Sequence, residues 1–352
     1  MSTEPRFPTD WVPFGATLVS TMTRWAHPGQ TLEEWTKEAH YDLTRMAERG
    51  MTAVGIMMDW ELAEPEEGRF DFSRHDPIMA KAAQLGLKVV LWPWEEAGPR
   101  WIPRDHSDWL WEADDGHRIP AGCWHHSAFR ESVYRFLTQV VERYRDNPAM
   151  LMWNVAIEPH YRPVWEEYSG ERQKIYCYQP ATVEKFRQWL RRHFQDDLDR
   201  LNRRWISYYT HWDQVAPPRS GSYNFNSPWF FDWRMFWIDA LAEYQGSKSH
   251  LVRKLDPRHP TTGNSGWYPS PIHAGLGMHK LAAGFDSFGI SSFPIYRWGR
   301  LDRATVNLSY RFVYSACHPD KPAIVHELQG GPMVHGAVFG ETPKPGEIRQ
   351  WP

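Results

Sequence analysis

The sequence predicts an α/β fold, specifically a (β/α)8 barrel, on three observations. Seven short apolar runs alternate with helix-length patterns, those runs are continuous rather than alternating in polarity, and no glycine-rich phosphate loop follows any of them. Continuous apolar strands belong to a parallel sheet with both faces covered by helices. A doubly wound nucleotide fold shares that pattern, but its G-x-G-x-x-G or G-x-x-x-x-G-K-[ST] fingerprint is absent, so the barrel is preferred.

Each element has its own reason. PFGATLV (13–19) is the first strand, and TLEEWTKEAHYDLTRMAERG is a helix opened by Thr31 and Glu34 in capping-box spacing and stopped at Gly50. TAVGIMMDW (52–60), the helix DPIMAKAAQLG and the strand LKVVLWPW (87–94) follow. SAFRESVYRFLTQVVERYRD is an amphipathic helix leading into AMLMWNVAIE (149–158). PTTGNSG (260–266), FDSFGISSF (285–293) and PAIVHEL (322–328) are the last three strands, with helical patterns between them. The stretch from about 160 to 235 is irregular and rich in aromatics, and reads as an insertion after the fourth strand. No repeat or low-complexity linker divides the chain, so residues 1–352 read as one domain.

Composition narrows the class. A chain of 352 residues with 41% hydrophobic and 24% charged residues supports one large core. A formal net charge of -3 gives no reason to expect nucleic acid or anionic lipid. No run of about 18 apolar residues exists, and MSTEPRFPTDW lacks the order of a signal peptide, so no membrane partner and a cytoplasmic location are expected. Cys123, Cys177 and Cys317 are odd in number and far apart, which fits a reducing compartment. The outlier is 21 tryptophans: indole faces suit stacking on sugar rings, or the filling of a large core.

The active site of such a barrel lies at the C-terminal ends of its strands. Acidic residues stand there: Asp59, Glu61 and Glu64 near the second, Glu95 and Glu96 after the third, Glu158 after the fourth, Glu327 on the seventh. For any one of them a salt bridge or a loop amide is the alternative to catalysis. Strands four and seven of eight lie nearly opposite, which makes Glu158 and Glu327 a pair. Two such glutamates form the apparatus of a glycosidase, one holding a proton and the other ionised, about 5–5.5 Å apart in a retaining enzyme. Asn154 shares the strand face of Glu158, and Trp60, Trp92 and Trp94 end strands where they could meet a sugar; core contact is the alternative for each. His326 neighbours Glu327, and strand alternation points it outward. His125 and His126 lack spaced partners, so no metal is expected there.

Over nearly its whole length the chain also resembles glycoside hydrolase family 42, the β-galactosidases of clan A. The resemblance rests on WELAEPEEGRFDFSRHDPIMAKAAQLGLKVVLWPW, GPRWIPRDHSDWLWEADDG, KFRQWLRRHF, LDRLNRRW, HWDQVAPP, LVRKLDPRHPTTGNS and VHELQGGPMVHGAVFGETPKPGEIRQW, in that order. It implies a (β/α)8 barrel, a retaining mechanism, Glu158 as general acid/base and Glu327 as nucleophile.

Four departures stand out. Ile157 occupies the place of the family's Asn, which can bond the sugar 2-hydroxyl, and only Arg118 lies near the family's substrate-binding Arg. Many members bind a structural zinc through four cysteines. Cys123 and Cys177 match two of those positions, Gln179 and Thr182 stand at the others, and no zinc is expected. The family continues beyond the equivalent of Pro352 with an eighth strand, so the chain reads as a fragment whose barrel lacks its last strand and helix. The expected function is a retaining β-glycosidase of terminal β-linked sugars, β-galactosidase-like, with a small carbohydrate as substrate and no cofactor. The same mechanism on a β-mannoside or β-glucoside is one alternative and a non-catalytic carbohydrate-binding barrel another. A homo-oligomer is left open.

Overall fold

The computed structural model describes residues 13–18, 29–95, 98–159, 176–219, 227–266, 277–296, 299–300, 302–330, 334–335, 338–339, 342–344 and 346. Its centre is a parallel sheet of seven strands in chain order: β1 (Gly15–Leu18), β2 (Ala53–Asp59), β3 (Lys88–Trp94), β4 (Met150–Ile157), β5 (Thr261–Ser265), β6 (Phe288–Ser292) and β7 (Ala323–Leu328). Each strand coincides with one of the seven predicted runs, although the fifth, TTGNS, is polar, and the sheet curls into a nearly closed barrel.

Helices α1 (Leu32–Glu48), α2 (Trp60–Ala63), α3 (Asp76–Gln84), α4 (Trp101–Asp105) and α5 (Ser127–Tyr144) precede β4. Then come α6 (Pro180–Phe194), α7 (Leu198–Trp205), α8 (Ser227–Leu255), α9 (Met278–Ala282) and α10 (Arg303–Cys317). Thr31 opens α1 through a complete capping box: Glu34 N donates to Thr31 Oγ1 at 3.2 Å and Thr31 N to Glu34 Oε2 at 2.8 Å. On α5, Phe129, Val133, Phe136, Leu137, Val140 and Val141 recur at helical spacing and are all buried. They meet the outer residues of the strands, Val54, Ile56, Met58, Val89, Leu91, Trp153 and Val155, in one continuous core.

A second core lies beside the barrel. Phe186 and Leu190 of α6, Leu201 and Trp205 of α7, and Trp233, Phe236 and Trp237 of α8 close over Trp111, Cys123 and Cys177. Asp232 is its polar anchor, accepting from Arg204 Nε and Nη2 at 2.9 Å each and from Trp205 Nε1 at 2.8 Å. Tryptophan is spent here mostly on packing: Trp60, Trp92, Trp101, Trp153, Trp205, Trp233 and Trp237 are all fully buried. Removing an indole from water on the order of 200 Å² at a time contributes several kcal/mol per ring.

Candidate active site

The strands run parallel, so their C-terminal ends share one end of the barrel, and the candidate carboxylates on β4 and β7 stand at that end. Glu158 follows β4 with φ of 43°, the left-handed region that costs a side-chain-bearing residue of order 1–3 kcal/mol. Its main-chain N donates to Asn264 O at 3.0 Å. Its carboxyl lies directly over Gly266, where a Cβ would overlap the carboxyl carbon and both oxygens.

Beneath the two glutamates runs a chain of buried amides and hydroxyls. Asn154 Nδ2 donates to Asn264 Oδ1 at 2.8 Å, and Asn264 Nδ2 donates to Ser291 Oγ at 2.6 Å. Ser291 in turn is the register partner of Glu327 on β7. Asn154, Asn264 and Ser291 are fully buried, so these bonds replace water that cannot reach them. The apolar side of the interior is Met57, Trp92 and Trp94, with Val90 and Ile157 against them. Ile157 thus presents a hydrocarbon surface against this cluster.

The structure corrects several expectations. Trp60 starts α2 and turns away from the interior: its ring stacks on Phe136 at 5.4 Å and meets Trp101 edge-on at 6.1 Å, between barrel and helices. It is a core residue and offers no face to a sugar. Glu64 is equally structural, accepting from Trp60 Nε1 (2.6 Å), Gly68 N (2.7 Å) and Arg135 Nη2 (2.9 Å). Glu61 pairs with Arg100 at 2.5 Å. Glu95 pairs with Lys248 of α8, whose side chain is only 1% exposed. Asp59 is fully buried at the end of β2, and Glu96 lies outside the described residues. Arg118 sits on a hairpin of Leu110–Glu112 and Arg118–Gly122, where it bonds Glu112 Oε2 and, in the turn before it, Ser107 O at 3.2 Å each, so these contacts are local and not to a barrel strand.

His326 does not point outward. A register shift between Val325 and Glu327 breaks the strand alternation. The ring then lies 2.9 Å from Thr262 Oγ1 of β5, edge-on to Trp92 of β3 at 5.9 Å, and against Gly289 of β6, whose missing side chain leaves it room. Contacts from β7 to β3, β5 and β6 at once are available only inside the barrel. Burial lowers its pKa from 6.5 to about 3, which keeps the imidazole neutral.

The cysteine positions do not suit zinc. Cys177 Sγ donates to Cys123 Sγ at 3.7 Å, but Thr182 Oγ1, 3.1 Å from Cys123 Sγ and 3.0 Å from His125 Nδ1, is a hydroxyl. Gln179 already accepts from Ala181 N at 2.8 Å and donates to Asp108 O at 3.0 Å as the cap of α6. Two thiols, a hydroxyl and an occupied amide are not the four nitrogen or sulfur donors that structural zinc requires. His126 faces Asp108 at 3.6 Å.

Sequence reasoning missed Thr262, Asn264, Gly266 and Ser291. For the first three the signal was present in PTTGNSG, a polar strand whose buried side chains need hydrogen-bond partners, while Ser291 lies in FDSFGISSF with no such signal.

The glycoside hydrolase family 42 model, described as β-galactosidase, matches residues 30–352. The chain belongs to this family. A β-galactosidase of Alicyclobacillus acidocaldarius is 27% identical over 272 residues, covering 74% of this chain and 36% of that protein. One from Haloferax lucentense is 26% identical over 338 residues, covering 91% of this chain and 47% of its own length. The crystal structure of a cold-adapted β-galactosidase from Rahnella sp. R3 superposes with a TM-score of 0.77 at 21% identity, over 97% of this chain and 49% of that one. The chain therefore spans less than half the length of these β-galactosidases. Among the described residues, no helix is long and apolar enough to cross a membrane.

Proposed function

We propose that this chain carries the catalytic barrel of a retaining β-glycosidase that cleaves terminal β-linked sugars, with β-galactosides as the leading substrates. The observation that supports it is the placing of Glu158 and Glu327 at the C-terminal ends of β4 and β7, in a family whose relatives named above are β-galactosidases. Glu327 attacks the anomeric carbon while Glu158 protonates the departing oxygen, giving a glycosyl-enzyme. Glu158, now a carboxylate, takes a proton from water, which displaces Glu327 with net retention. The steps draw on two carboxylates and water, and on no organic cofactor. Asn154 serves from below, and Trp92 and Trp94 form the apolar wall of the interior.

A second reading keeps the mechanism and changes the sugar. It is favoured by Ile157, which joins the Met57, Trp92 and Trp94 surface and cannot bond a 2-hydroxyl. Glu327→Gln in the full-length protein, assayed on a panel of chromogenic β-glycosides, tests both. Turnover should fall by on the order of 10⁴-fold or more. Unchanged turnover removes Glu327 as nucleophile, the preferred glycoside identifies the sugar, and saturable binding without hydrolysis by the parent protein indicates a binding barrel instead.

A further inference from the structure

Resting on the reading of Glu158 as acid/base, we propose that the end of β5, Asn264 to Gly266, is the positioning element that fixes the Glu158 carboxylate relative to Glu327. The carboxyl occupies the volume where any other residue at 266 would carry its Cβ. A side chain there would push the Glu158 carboxyl aside, so the glycine leaves the carboxyl its seat. The main chain of Glu158, turned by its φ of 43°, hangs on Asn264 O by a 3.0 Å hydrogen bond. That carbonyl cannot drift easily, because the Asn264 side chain is tied on both sides, to Asn154 at 2.8 Å and to Ser291 at 2.6 Å.

The second tie extends the effect to the other carboxylate. Ser291 and Glu327 are register partners on β6 and β7, so one asparagine on β5 links the strand of the proton donor to the neighbour of the nucleophile strand. No group in this element needs to touch substrate. Its effect is on distance and direction, where a displacement of about 1 Å can cost on the order of a hundredfold in rate.

The test uses the full-length protein with Gly266→Ala, Asn264→Ser and, as a control, Glu158→Ala. Each is assayed on a phenyl and a 2,4-dinitrophenyl β-glycoside of the sugar that the parent hydrolyses. The phenyl leaving group needs a proton, and the dinitrophenyl group departs without one. Rates are expressed per competent site, counted by trapping with the matching 2-deoxy-2-fluoroglycoside, so partial misfolding does not masquerade as a catalytic defect. Gly266→Ala should lower kcat/KM on the phenyl glycoside by about ten- to a hundredfold while kcat/KM on the dinitrophenyl glycoside holds within about threefold. Asn264→Ser should show the same selectivity at smaller size. If Glu158→Ala is leaving-group selective and both β5 variants are not, the proposal is overturned and the acid/base reading stands. If Glu158→Ala itself shows no selectivity, both are overturned.

Discussion

Asn154 Nδ2 donates to Asn264 Oδ1 at 2.8 Å inside the barrel, joining β4 to β5 four residues before Glu158. Removing the donor leaves a buried acceptor without its bond, which costs about 1–3 kcal/mol. Asn154→Ala should therefore lower unfolding free energy by that amount in urea titration, and Asn154→Asp should not restore it, since a carboxylate brings no donor to Asn264 Oδ1.

Glu64 tests the separation of structural from catalytic acids. Its carboxylate is fully buried and answered by three donors, so Glu64→Gln should destabilise the fold by about 1.5–3 kcal/mol. Turnover per folded molecule should stay at the parent value. A loss of turnover beyond the loss of folded protein would move Glu64 into the catalytic apparatus.

Lys248 and Glu95 form an ion pair from which water is largely excluded, their side chains being 1% and 13% exposed. Breaking one member of such a pair costs about 3–5 kcal/mol, while replacing both is often neutral. Lys248→Met should melt well below the parent, and the double change Lys248→Met with Glu95→Gln should recover most of the loss by thermal circular dichroism.

His326 makes the fold acid-sensitive with a known sign. Its pKa falls from 6.5 to about 3 on burial, so between those values the unfolded chain binds a proton that the native state excludes. Its contribution is fully present above pH 6.5 and is lost as pH falls toward 3. Lowering pH from 6.5 to 5 should cost about 2 kcal/mol through this group alone, at 1.36 kcal/mol per unit. Urea titrations at pH 6.5 and 5 should show a smaller difference in His326→Asn, by about that amount.

The sheet was legible because burial on both faces leaves an apolar run in most strands, and all seven predicted runs, the polar PTTGNSG among them, became strands. The capping box at Thr31 and Glu34 was equally local, and it formed. Legibility failed where one step of geometry intervenes between sequence and direction. Trp60 ends a strand in the sequence, but a short helix turns its ring under α5. His326 obeys strand alternation on paper, yet the irregularity before Glu327 rotates it inward. Glu64 and Glu95 meet Arg135 and Lys248 across 71 and 153 residues of chain, and Arg118 meets Glu112 across a hairpin turn, and no periodicity announces such partners.

β4 is hydrogen-bonded on both sides, by β3 and β5. The proton donor therefore follows a strand that cannot open without its two neighbours. Main-chain amides around Val155 should exchange with deuterium only through global unfolding. Mild denaturant should accordingly leave the Glu158 main chain in place until the barrel itself unfolds.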